Sequence, residues 1–444
     1  MHKGMPLRRL ALNMALLTLA GCGGGGSSAG GGGTQPPAPT YTVGGSISGL
    51  KTGGLTLASG ADKLSIAAAA TSFTLPTALA AGASYDVRIG SQPPRFTQRC
   101  AVANGSGAIG SANVSNVALS CVDHPALVGT LAGNGNPTKL PGTAAVFNEP
   151  QGLAVDDAGN VFVADRKNNR IAKITPAGVV STFVGATPGQ AATEAELAFG
   201  YADDITRDKD GNFYVVGNHM VRKITKEGVV STVAGAAEIG YADGPGAQAR
   251  FNTPLGITVD SAGNLYVADT LNLRIRKITP AGVVSTIAGS GARGAADGAA
   301  LQASFNNPYG VAVDKAGNVL IADTLNHLVR KLGTDGTVST LAGHDNGVDA
   351  GDGQGTQASL KQPSGITVDG DGNLYVAELG GKVRSISPSG YVATIAGQYA
   401  APGSVDGLGS VATFTTPHGI ALDATGKLYI GDPGAGRVRK IAEQ

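Results

Sequence analysis

Six residues hold the same place in a repeated frame and differ in kind: Gln151, Asp203, Leu255, Tyr309, Ser364 and His418. In five copies that residue stands between a proline and a glycine, as in Pro308-Tyr309-Gly310; in the second copy Ala202 and Asp204 take the flanking places. A carboxylate, an imidazole and a phenol brought to one point can ligate a divalent ion, take a proton and give one. Without a metal, the same groups can hold a polar ligand by hydrogen bonds. A position that varies inside a frame that otherwise repeats is free to be used individually. The six are therefore candidate ligand-binding residues, and none is assigned a catalytic role.

Other chemistry is thin. Beyond the first 22 residues the histidines are His124, His219, His327, His344 and His418. Three of them (His219, His327, His418) fall in alternate copies, and only His418 holds a position expected near an axis. No G-x-S-x-G, H-E-x-x-H or phosphate-cradling loop is present. Lys plus Arg at 33 against Asp plus Glu at 32 leaves a net charge of +1, which excludes a broad nucleic-acid surface. The Asp of V-A-D (Asp165, Asp269, Asp323, Asp432) recurs with Asn169, Asn272 or Asn326 nearby, as residues that cap turns or bridge strands do. Four Asp-Gly pairs (Asp243, Asp297, Asp352, Asp406) read as tight turns; the alternative, a cation site, has no calcium-loop spacing behind it.

The frame that must position these residues opens at Phe147, Phe199, Phe251, Phe305, Leu360 and Phe414, at spacings of 52, 52, 54, 55 and 54 residues. Phe251–Gly289 is its clearest copy. Four apolar runs, Gly256–Asp260, Leu265–Asp269, Arg274–Ile278 and Val283–Gly289, are parted by turn residues, which predicts an antiparallel meander. One such sheet has two apolar faces, and six copies bury them by stacking around an axis. The fourth run follows copies one to five (Val180–Gly185, Val230–Gly235, Val284–Gly289, Val338–Gly343, Val392–Gly397) and is missing after copy six. A sixth, Val128–Gly133, lies ahead of copy one. It is predicted to supply the outer strand of the last sheet, leaving no open edge between first and last.

V-D-x-x-G-N-x-Y-V-A-D-x-x-N-x-R-I-x-K resembles the pattern of NHL-repeat proteins, which form β-propellers. The resemblance covers residues 126–444 and is close in copies one, three, four and six. Copy two has a shortened hairpin, Gly217-Asn218-His219-Met220, and copy five has Glu378-Leu379-Gly380-Gly381 in place of A-D-x-x-N. The resemblance implies an all-β chain with a six-bladed propeller, its long connections (Ala236–Arg250, Ser290–Ser304, His344–Ser359, Gln398–Thr413) on one face and the six varying residues at the mouth of the central channel. Amidating lyases related to the family need several channel histidines; this chain offers one.

The first 21 residues read as a leader, with Lys3, Arg8 and Arg9 ahead of the apolar Leu10–Leu19. Leu19-Ala20-Gly21-Cys22 resembles the bacterial lipoprotein box. It implies cleavage before Cys22 and acylation of that residue, palmitate included, which would anchor the chain in a membrane. Gly23 after the cysteine favours the outer membrane, facing either the periplasm or the cell surface. Residues 22–40 form a Gly- and Pro-rich tether. Residues 41–123 alternate in short runs (Tyr41–Val43, Leu55–Leu57, Ser72–Leu75, Tyr85–Ile89, Cys100–Ala103, Val117–Cys121) and read as a small antiparallel β-sandwich, similar to the Ig-like modules of surface lipoproteins. In an oxidising envelope Cys100 and Cys121 are expected to pair.

The resulting expectation is a monomeric envelope lipoprotein whose propeller binds a protein or glycan partner, with no cofactor. The competing reading is a propeller enzyme, a lyase or lactonase-like hydrolase using calcium or zinc at the channel mouth.

Overall fold

The structure is a computed structural model that describes residues 37–135, 146–186, 200–344, 351–399 and 401–444. The leader, Cys22, most of the tether and Phe199 lie outside the described residues. Thr40–Gln444 forms one compact unit.

The meander predicted from Phe251–Gly289 is present as Pro254–Val259, Leu265–Asp269, Arg274–Ile278 and Val283–Ala288, each antiparallel to the next. Its first strand starts at the proline, two residues before the apolar run, because Pro254 still pairs with Asp269. Among the described residues six sheets share this order, with a short fifth strand from the preceding connection added to four of them. Every second strand is buried along its whole length in five of the six sheets, as in Val161–Asp165 and Val319–Asp323. Both faces of such a strand lie against neighbouring sheets, so it reads as continuously apolar rather than alternating. The opening residues Phe147, Phe251, Phe305, Leu360 and Phe414 are each 0% exposed in the seams between sheets.

Innermost strands succeed one another. Pro150–Val155 contacts Asp204–Arg207, which contacts Pro254–Val259, and so on through Pro308–Val313 and Pro363–Val368 to Ile420–Leu422, which touches Pro150–Val155 again. The approach is close enough to require glycine. A Cβ on Gly256 would lie 2.0 Å from the Tyr309 carbonyl oxygen, and one on Gly310 would lie 2.3 Å from that of Ser364. That is why P-x-G recurs. The sixth sheet takes Ala126–Ala132 as its outer strand, antiparallel to Arg437–Glu443, the pairing expected of Val128–Gly133.

Residues 40–123 carry their own core, in which Val43, Leu57 and Val117 are 0% exposed. One sheet has the order Ser72–Thr74, Val43–Ser48, Val114–Asp123, Gln98–Ala103; a second joins Asp62–Ser65, Thr56–Ser59 and Arg88–Ser91. Val43–Ser48 and Val114–Asp123 run parallel, which corrects the expectation of a purely antiparallel module: these two strands are 71 residues apart in the chain, and no hairpin dictates their direction. Cys100 and Cys121 face each other across neighbouring strands and form a disulfide. The module is not independent. Phe96, 3% exposed, sits in the same apolar cluster as Tyr375, Ile420 and Ile441 of the repeats, and Arg95 donates from Nε to Glu443 Oε1 at 3.0 Å.

Candidate functional site at the channel mouth

A cavity of about 260 Å³ runs down the axis between the innermost strands. Asp203, Tyr309 and His418 line it. The Tyr309 and His418 rings are in contact, centroids 5.7 Å apart and 31° from parallel, and each keeps part of its surface open. Burial lowers the His418 pKa to about 4, and the Arg166 charge adds to this; the imidazole is neutral at physiological pH. Loss of water contact raises the Tyr309 phenol, with the Asp203 charge contributing. The imidazole and the phenol are thus uncharged groups within the electrostatic reach of Arg166.

Asp203 is 6% exposed. Burial pushes its carboxyl above the ordinary range while the adjacent Arg166 pulls it back. Arg166 donates from Nε to Asp203 Oδ1 at 2.6 Å and from Nη1 to Glu149 Oε2 at 2.9 Å. Lys167 pairs with the other oxygen of Glu149. The local chain fixes this fork. Glu149 takes a left-handed φ of 57° just before Pro150, as Thr253, Asn307 and Gln362 do before their prolines. Its carbonyl accepts the Arg166 N–H at 3.2 Å. Arg166 opens the hairpin turn Arg166–Asn168, and its guanidinium lies 5.0 Å from the Tyr201 ring centroid.

Asp204 stands where other copies have glycine. It accepts the N–H of Ile257 at 2.9 Å from the next sheet and that of Ile205 at 2.9 Å from its own. Desolvation raises its carboxyl to about 7, with the Asp203 charge adding to the rise. A Cβ on Gly152 would lie 2.1 Å from its Oδ1, so the first sheet leaves room for this side chain.

The six sequence candidates therefore divide. Asp203, Tyr309 and His418 converge. Leu255 lines the cavity as an apolar group. Ser364 is 1% exposed, and its hydroxyl lies within 3.3 Å of the carbonyls of Ala377, Pro417 and His418, which tie it to backbone. Gln151 is half-buried, with Oε1 unpartnered. Sequence reading missed Arg166, Glu149 and Asp204. The signal was departure from the repeat: Arg166 replaces Thr270 and Thr324 of copies three and four, and Thr270 donates to the Pro308 carbonyl at 2.7 Å where Arg166 reaches a carboxylate.

The polar residues that recur in five of the six copies do structural work. Arg170, Arg276, Arg330, Arg384 and Arg439 are all 0% exposed and lie against Asp165, Asp269, Asp323, Glu378 and Asp432. Those acids also accept backbone N–H groups, as Asp269 does from Asn252 at 2.8 Å. The Asp-Gly pairs are more than tight turns. Asp243, Asp297, Asp352 and Asp406 each pair with the buried arginine and accept the N–H of an outer-strand threonine, Thr286, Thr340, Thr394 and Thr130 respectively. Among the described residues no group of three or more His, Cys, Asp or Glu is placed to hold a metal ion.

Comparison with known proteins agrees with this geometry. Residues 147–174, 251–278 and 305–332 match the NHL repeat family. Teneurin-4 of Homo sapiens is 28% identical over 65% of this chain and 10% of its own length. Protein SUPPRESSOR OF QUENCHING 1, chloroplastic, of Arabidopsis thaliana is 35% identical over 23% of this chain and 10% of its own. The chain thus spans about a tenth of the curated relatives it matches. Among solved structures, an auxiliary nutrient binding protein from Bacteroides ovatus ATCC 8483 superposes with a TM-score of 0.54 at 15% identity, over 92% of this chain and 99% of that one. Three of the repeats thus match the NHL repeat family, and the sheets that carry them follow one another around an axis as the blades of a propeller do.

Proposed function

We propose that the chain is a ligand-binding module of the bacterial cell envelope: a six-bladed propeller, closed by its own N-terminal strand, with a small β-sandwich attached and a lipid tether at Cys22. It holds a protein or glycan partner at the channel mouth and acts without catalysis. The observation that carries this reading is the convergence of Asp203, Tyr309 and His418 on one cavity, with Arg166 bonded both to Asp203 and to Glu149. Groups that differ from copy to copy gather there, while the groups that recur are consumed by packing. The nutrient-binding description of the Bacteroides ovatus structure supports binding. The Leu19-Ala20-Gly21-Cys22 box supports the envelope placement.

The test uses the full chain as bait for envelope glycans and proteins of the source cell, with a triple variant Asp203→Ala, Tyr309→Ala, His418→Ala. Loss of the captured partner in the triple variant, at unchanged folding, is expected. Retention of every partner would remove the mouth from the reading. Incorporation of labelled palmitate, lost in Cys22→Ala, is the expected outcome for the tether.

A further inference from the structure

We propose that the channel mouth takes a single neutral sugar ring, laid against Tyr309 and His418 and hydrogen-bonded by Asp203, Glu149 and Arg166; this rests on the binding reading above. Three observations lead to it. The first is charge. The carboxylates Asp203, which lines the cavity, and Glu149, next to it, are matched by Arg166 and Lys167, and Arg207, which also lines the cavity, is matched by Asp157. They balance, and His418 adds no charge at physiological pH. An anionic ligand would meet two carboxylates and a cationic one would meet a guanidinium and an ammonium. A neutral polyol meets acceptors and donors together, which is how hydroxyl groups are satisfied once out of water.

The second observation is shape. Two partly open rings with centroids 5.7 Å apart and planes 31° from parallel put aromatic surface beside polar groups. The C–H face of a pyranose needs such a surface, and its hydroxyl edge needs the polar rim. The third is size. Pockets for drug-sized ligands run to roughly 300–1,000 Å³, and this cavity holds about 260 Å³. It can admit one ring and cannot enclose a folded peptide loop. A longer glycan would enter by its terminal residue.

The groups are also held before any ligand arrives. Arg166 is fixed by two carboxylates from different sheets, and Glu149 by Lys167 and Arg166. Little side-chain entropy is left to lose on binding, which is how a small site gains affinity.

The experiment is titration calorimetry and ligand-observed NMR on the full chain with glucose, galactose, mannose and N-acetylglucosamine, against glucuronic acid and glucosamine as charged counterparts. At least one neutral sugar is expected to bind, at least about tenfold more tightly than its charged counterpart. Tyr309→Ala should weaken it about tenfold or more, as removal of an aromatic anchor does. Tyr309→Phe, which keeps the ring, should retain most of the affinity. Preference for a charged sugar, or equal loss in both Tyr309 variants, would overturn the platform. If no sugar binds but a protein partner is captured and then lost in the triple variant, the sugar proposal falls and the binding reading stands. If neither is seen, both fall.

Discussion

Arg166 and Asp203 are 37 residues apart in the chain, and the guanidinium Nε donates to the carboxylate at 2.6 Å, joining the first sheet's hairpin to the entry of the second. Asp203 has nearly lost contact with water, so the charge of Arg166 is what offsets its burial. Arg166→Ala should destabilise the chain by about 1–3 kcal/mol, the cost of a buried acceptor left unpaired. Adding Asp203→Asn to it should recover part of that loss. Urea unfolding of the two single variants and the double variant measures the coupling; strict additivity would show that the pair contributes nothing.

The pH dependence of stability carries two opposed slopes at the mouth. Asp204 titrates at about 7 in the folded chain against an ordinary 3.8. Between those values the folded state keeps a proton that the unfolded chain has released, so stability falls as pH rises through that window. His418 titrates at about 4 against 6.5; there the unfolded chain takes up a proton that the buried imidazole refuses, and stability falls as pH drops from 6.5 toward 4. Relative to wild type, Asp204→Asn should gain stability as pH climbs from about 4 to about 7. His418→Gln should gain it as pH falls from about 6.5 to about 4. Urea midpoints measured across pH for the three proteins separate the terms. Parallel curves for Asp204→Asn and wild type would show that this carboxyl is ionised in the fold.

Much of this was legible in the sequence because repetition amplifies weak signals. One copy of L-Y-V-A-D says little; near-copies at spacings of 52 to 55 residues determine strand order and place P-x-G on the inner strand. The missing fourth run after Ile441 pointed to Val128–Gly133, and the structure pairs Val128 with Ile441. What repetition hid were the side-chain partners. Asp243 and Arg276 are 33 residues apart, a separation that recurs to within one residue in the later copies, but no local rule couples them. Arg166, Glu149 and Asp204 are departures from the frame, each ordinary alone, and only the fold makes them neighbours. Phe96 gave no sign that it would leave its own module's core for that of the repeats, because burial in either satisfies the same apolar side chain.

The N-terminal module and the propeller are expected to unfold together. Phe96 packs edge-on to Tyr375, centroids 5.9 Å apart, the Arg95 guanidinium binds Glu443, and Ser389 Oγ donates to the Gly54 carbonyl at 3.0 Å. Phe96→Ala removes a buried aromatic group from the shared cluster and should cost about 3–5 kcal/mol. Calorimetry should show one transition for wild type and two for Phe96→Ala. Two transitions in both proteins would mean the contact does not couple the units.

The disulfide should act on the module it closes. Cys100 and Cys121 are 21 residues apart in sequence, and a loop of that length corresponds to about 3 kcal/mol of lost unfolded-state freedom. In Phe96→Ala, where the units are separated, Cys100→Ser with Cys121→Ser should lower only the module's transition. A fall in the propeller's transition instead would show that the bridge supports the repeats.

The outer strand Ala126–Ala132 should matter more than its seven residues suggest. It covers the edge of Arg437–Glu443, which otherwise presents a row of unpaired N–H and C=O groups to other chains. It is also held at its middle, where Asp406 Oδ2 accepts the Thr130 N–H at 3.0 Å while Oδ1 pairs with the buried Arg439. Asp406→Ala leaves a guanidinium that is 0% exposed with less of its charge offset, because its other acid, Asp432, is 4.0 Å away. The same change at Asp243 leaves Arg276 with Asp269 at 2.6 Å. Asp406→Ala should therefore be the more damaging of the two, by about 1–2 kcal/mol, and should raise aggregation on mild heating. Thermal unfolding with light scattering measures both. Equal losses at the two sites would show that the last sheet is fastened no differently from the third, and that its outer strand, though drawn from the far end of the repeats, is as secure as one supplied by the same meander.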